Sequence, residues 1–136
     1  MDEVKKTIEE LYPECTDELM KNFDKAYDLF CKKQADYGPY NIELGLNLQA
    51  KRKARTEHSS LPSTRTQENQ LLAQFGVIVR MNDKLQRLLH LQSKALKDFY
   101  QGTYNKPQNE SFDDSCIDTM NYANILMVLR NGKWGK

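Results

Sequence analysis

With 136 residues, 39% of them apolar and 29% charged, the chain has the composition of one globular domain with room for a single core. A formal net charge of +1 excludes the strong basic excess of a protein that coats DNA or lies on an anionic membrane. No apolar run approaches the ~20 residues of a membrane span, and the start "MDEVKKTIEELYP" is too charged for a secretory signal.

The pattern predicts helices and no strand. A short first helix covers roughly residues 2–11 and stops before Pro13. A second starts at Thr16, a residue type favoured as N-cap, with Asp17 and Glu18 near the positive end of the dipole. Its apolar positions, Leu19, Phe23, Ala26, Tyr27, Phe30 and Cys31, recur by three and four until Gly38-Pro39 ends it near Asp36–Tyr37. Residues 47–66 are polar, with Lys51, Arg52, Lys53 and Arg55 close together. They read as a basic loop, either simply solvated or a flap over an anion.

The third helix is predicted from about Thr66 to Phe99. Apolar residues such as Leu71, Phe75, Ile78, Val79, Leu85 and Leu89 cover nearly every side of its first half, the pattern of a central, buried helix. The fourth begins at Ser111 and ends at Asn131-Gly132. Its apolar face includes Ile117, Met120, Ala123 and Met127, widened by Tyr122, Ile125 and Leu129. The expected fold is therefore all-α: one domain over 1–136, a compact bundle of three long helices plus a short N-terminal one.

Cys15, Cys31 and Cys116 are odd in number and lack Cys-x-x-Cys spacing, which fits free thiols in a reducing compartment. A cytoplasmic protein is expected, with Asn109 of the "NES" sequon unmodified. Neither His58 nor His90 has an evident catalytic neighbour, and there is no P-loop, zincin helix or Gly-x-Ser-x-Gly elbow.

Several polar residues fall where apolar ones are expected. Lys33 follows Ala26 and Phe30 on the core-facing stripe of the second helix, with Tyr37 one turn later. Its ammonium must meet an anion or reach water. In "RMNDKLQR", Arg80, Asp83, Lys84 and Arg87 share one face directly after the apolar "VIV". On the fourth helix Glu110, Asp114 and Asp118 step by four, with Asn121 and Tyr122 next on that side. The helix dipole accounts for acid in the first turns but not for Asp118. These carboxylates suit either ion pairs with the cations or a Mg²⁺ bridging to phosphates.

Together they describe a pocket between helices. Lys33, Arg80, Lys84 and Arg87 supply charge for phosphates, Tyr37 and Tyr122 stack a base, and Asn41 and Asn121 read its edge. Asp83, Glu110, Asp114 and Asp118 are the metal ligands if the site is hydrolytic. Structural ion pairs with no ligand are the alternative.

The ordered segments "KKQADYGPYNI", "VIVRMNDKLQRLLHL", "NESFDDSCIDTMNYANI" and "RNGKWGK" resemble the nucleotide-modification-associated domain 1 family, over about residues 16–136. That resemblance implies an all-α phage or prophage protein linked to nucleotide processing in an infected or lysogenic bacterial cell. It carries over onto Lys33, Asp36, Tyr37, Gly38, Arg80, Asp83, Lys84, Arg87, Glu110, Asp114 and Asp118. The chain is also reminiscent of MazG-type all-α nucleoside triphosphate pyrophosphohydrolases, which hold Mg²⁺ with Glu-x-x-Glu and Glu-x-x-Asp pairs. It departs from them in having Asp24 and Asp28 on the second helix and a basic third helix.

Three functions follow as expectations. The first is binding of a phosphorylated nucleotide, cyclic or modified forms included, without chemistry, as in sequestering an immune signal (an anti-defence role). The second is Mg²⁺-dependent pyrophosphohydrolysis. The third is an interaction module with an ion-pair core. A homo-oligomer is expected, and nothing argues for a membrane or nucleic-acid partner. Trp134 is expected to staple onto the core rather than enter a partner's groove.

Overall fold

The computed structural model describes residues 1–39, 42, 67–105 and 111–136. The basic stretch at 47–66, Asn41 and Glu110 lie outside them. The described residues form four helices and no strand: α1 (Asp2–Leu11), α2 (Pro13–Tyr37), α3 (Gln67–Tyr100) and α4 (Ser111–Arg130).

α2 starts three residues before the expected Thr16. Pro13 occupies the first turn, where a missing N–H costs nothing and a fixed φ helps. The Thr16 hydroxyl donates back to the carbonyls of Tyr12 and Pro13, both at 3.1 Å, and caps no amide. α2 ends at Gly38, whose φ of 68° suits a residue without Cβ and whose N–H donates to the Gln34 carbonyl at 2.8 Å. α4 stops at a similar device. Lys133 N–H reaches the Val128 carbonyl at 3.1 Å and Gly132 N–H that of Leu129 at 3.0 Å, with Gly132 at φ 70°.

That turn sends the C-terminal "KWGK" back onto the end of α2. Trp134 is 8% exposed, its Nε1–H donates to the Pro39 carbonyl at 2.9 Å, and its ring meets Phe30 edge-on at 6.1 Å. It joins Ile42, Ala73, Val77, Ile125 and Leu129 in the buried cluster, with Phe30, Met81, Tyr122 and Leu126 packed around it.

Contrary to the sequence expectation, α3 is not the central helix among the described residues. Only Ala73 and Val77 of α3 are buried, while Leu71, Phe75, Ile78, Val79, Leu85 and Leu89 are exposed. Among the described helices the central position belongs to α4, which packs along α3 on one side and against α2 on another, whereas α1 reaches only α2. The pairing of α3 with α4 is antiparallel. Val77 clusters with Ile125 and Leu129 near one end, and Lys84 meets Asp118 further along. The stripe of α2 is likewise less covered than its periodicity implies: Ala26 is buried, but Leu19, Phe23, Tyr27 and Cys31 are not, and on α4 Met127 is exposed. Periodic apolar residues say that a face wants a partner, and the described residues supply only some of those partners.

Replacing Trp134 with Ala removes both the ring contact and the hydrogen bond to Pro39. It is expected to lower unfolding free energy by about 3 kcal/mol, with Trp134→Phe falling in between. Urea melts followed by far-UV circular dichroism measure this, and an unchanged midpoint in Trp134→Ala contradicts the staple.

Candidate functional site

At the centre of the site is Asp118, in the middle of α4. Its Oδ1 accepts from Lys33 Nζ of α2 at 3.1 Å, and its Oδ2 accepts from Lys84 Nζ of α3 at 2.9 Å. One carboxylate thus joins three helices. Its side chain is 12% exposed, against 27% for Lys84 and 48% for Lys33, so the acid is the buried member and each lysine keeps a route to water. Burial pushes the Asp118 pKa up, but the hydrogen bonds and charges of Lys84 and Lys33 outweigh it and hold the group below the ordinary carboxylate value. Two ammonium groups on one carboxylate leave the cluster with a net positive charge.

Beside this cluster, between α2 and α4, lies an open cavity of about 180 Å³ lined by Phe30, Lys33, Gln34, Tyr37, Asp118, Asn121, Tyr122 and Ile125. The geometry follows from helical spacing. On α2, Phe30, Lys33, Gln34 and Tyr37 stand at i, i+3, i+4 and i+7, and on α4 the same steps give Asp118, Asn121, Tyr122 and Ile125. Two facing stripes therefore make the walls, and the wall residue Phe30 is backed by the ring of Trp134. The volume is below the ~300–1,000 Å³ of pockets that enclose a whole drug-sized ligand, so it fits one ring or one phosphate.

Four of the sequence-selected binding residues, Lys33, Tyr37, Asn121 and Tyr122, line this cavity together with Asp118. Lys84 joins them through Asp118 from the α3 side. Arg80 and Arg87 sit one turn before and after Lys84 on α3, half-buried and exposed respectively, and neither lines the cavity. Asp83 and Asp114 are exposed. Among the described residues, no group of three or more His, Cys, Asp or Glu side chains is placed to hold a metal ion. Sequence reasoning passed over Phe30 and Ile125 as wall residues and over Gln34, a further amide. The signal for Gln34 was its place one turn before the end of α2, between Lys33 and Tyr37.

All three cysteines are free. Cys116, the least exposed, has its thiol pKa pushed up by burial and then by the charge of Asp113, the reverse of what activates a nucleophile. No helix among the described residues is long and apolar enough to cross a membrane.

Comparison with protein-family models, with curated proteins and with solved structures finds no match to this chain.

Because the folded pKa of Asp118 lies below the unfolded value of ~3.9, its charge stabilises the fold above that pH, and the stabilisation fades as pH falls through the folded value. Asp118→Asn is expected to cost about 1–2 kcal/mol at neutral pH, a deficit that shrinks on acidification and vanishes where the carboxylate is protonated in both states. Urea titrations of both proteins between neutral and strongly acid pH test this. A deficit independent of pH would show that the carboxylate's charge is not what ties the helices.

Proposed function

We propose that the chain binds a phosphorylated nucleotide and holds it without cleaving it. The observation that carries this reading is the gathering of an ammonium group, two amides and two phenol rings in one groove: Lys33, Gln34, Asn121, Tyr37 and Tyr122. Rings stack a base, amides read its edge, and the cationic excess of the Lys33–Asp118–Lys84 cluster attracts phosphate. Arg80 and Arg87, flanking Lys84, extend that charge along α3. A groove of about 180 Å³ takes the base and leaves the phosphates against the lysines at its open side. Asp118 supports binding better than hydrolysis, because two ammonium groups already neutralise its charge and repel a divalent cation brought beside it. The phage setting implied by the resemblance makes sequestration of a cyclic or modified signalling nucleotide in the bacterial cytoplasm the role such a site would serve.

The test incubates purified protein with linear and cyclic nucleotides and Mg²⁺, separates bound from free, and identifies what heat denaturation releases by mass spectrometry. An intact nucleotide in the bound fraction is expected. Cleaved product accumulating beyond one per protein would replace the binding reading with the hydrolase, and no retained nucleotide would overturn both. Lys33→Ala and Lys84→Ala are each expected to weaken binding about 10- to 100-fold by calorimetry with helix content intact, the value of a charge-assisted hydrogen bond. Unchanged affinity in both removes the groove from consideration.

A further inference from the structure

α3 carries two seams, and among the described residues one of them is covered. The covered seam runs through Ala73, Val77, Met81, Lys84 and Leu88 on the α4 side. The other runs through Leu71, Phe75, Ile78, Leu85, Leu89 and Leu96 and ends at Phe99, in strictly alternating steps of four and three once Asn82 and Gln92 fill the two polar positions. That is a heptad stripe sustained over four heptads, the pattern of a helix built to pair with another helix. Yet its seven apolar side chains are between 46% and 67% exposed. An isolated surface leucine needs no explanation, whereas a continuous apolar stripe along the longest helix does.

We infer that this stripe is the self-association surface of the protein, paired antiparallel with α3 of a second copy in a two-fold homodimer. Self-complementarity names the occupant. With the dyad crossing α3 at the level of residue 87, Leu85 meets the partner's Leu89, Ile78 meets the partner's Leu96, and Phe75 meets the partner's Phe99. In that same register Asn82 meets the partner's Gln92, so the two polar interruptions of the stripe satisfy each other and no apolar side chain faces an amide. The flanking positions Leu72, Gln74, Val79, Met81, Gln86 and Leu88 carry no charge, so nothing repels the approach. The area agrees. The stripe exposes on the order of 700 Å² of apolar surface per copy, so pairing two buries at most roughly 1,400 Å², which reaches the ~1,200–2,000 Å² of stable interfaces.

The described core is small. Among the described residues only eight side chains are buried, and α1 contributes none. The inference does not rest on the nucleotide reading. Arg80, Arg87 and Lys94 repeat every seven residues on the side of α3 turned about 170° from the stripe, so pairing leaves them accessible.

Sedimentation equilibrium of the wild-type protein across micromolar concentrations is the first experiment. Twice the chain mass of 15.9 kDa is expected, with a melting temperature that rises with protein concentration. A monomer throughout, with a concentration-independent melting temperature, overturns the proposal. Charge-swap variants then test the register. Asn82→Asp and Gln92→Lys alone are each expected to weaken dimerisation at least about tenfold, and the double variant to recover to within about threefold of wild type, because antiparallel pairing sets each Asp against a Lys. A double variant weaker than either single one sets like charges together and overturns the antiparallel register. Wild-type nucleotide retention is read separately, so failure of the groove and failure of the seam give different results.

Discussion

The arrangement depends on one carboxylate. Among the described residues α2 and α3 do not pack on each other; both reach α4, and Asp118 is where all three are tied. Removing an aspartate from water costs several kcal/mol, and here two ammonium groups offset that cost while keeping their own hydration on the outer side. Such a cluster contributes less to net stability than an apolar plug of the same volume would. It contributes more to geometry, since only one rotation of α2 about its axis brings Lys33 to the Oδ1 that Lys84 leaves open.

Fixing that rotation builds the groove. Once Lys33 faces α4, helical spacing obliges Phe30, Gln34 and Tyr37 to face it too, opposite Asn121, Tyr122 and Ile125. The far end is held independently by Trp134, which donates to the carbonyl of Pro39 immediately after the α2 cap. A polar tie and an aromatic staple thus hold one short stretch of α2 from two sides, while the N-terminal half of the same helix buries nothing before Ala26. Two unlike interactions, with different dependences on pH and temperature, thus share the restraint on this stretch of α2.

Much of this was legible in the sequence because it follows from local rules. Pro13, Gly38 and Gly132 bound their helices through φ, and the misplaced polarity of Lys33 and Asp118 marked both as residues needing partners. What could not be read was which cation would meet which acid. Arg80, Lys84 and Arg87 share one face, and only the rotation of α3 against α4 selects Lys84 for Asp118. Thr16 misled because a threonine near a helix start bonds forward as a cap or backward to a carbonyl with similar ease, and the proline at position 13 decided between them. The burial of α3 was misassigned for a different reason: periodicity reports the appetite of a face for a partner and is silent on whether that partner is in the same chain.

The two seams of α3 turn that misassignment into an argument. A helix apolar on nearly every side in its first half is unfavourable beside a single neighbour, since half of its side chains would stay in water without compensation. Paired on the second seam, α3 has α4 along one flank and its own symmetry mate along the next. Only the remaining sector faces solvent, and that sector carries Arg80, Asp83, Arg87, His90 and Lys94. Apolar and charged residues then each occupy the side their chemistry requires. In the proposed dimer the assembly would meet the central, buried position that the composition of α3 demands, and leave its polar remainder as a cationic ridge running past Lys84 and the carboxylate of Asp118.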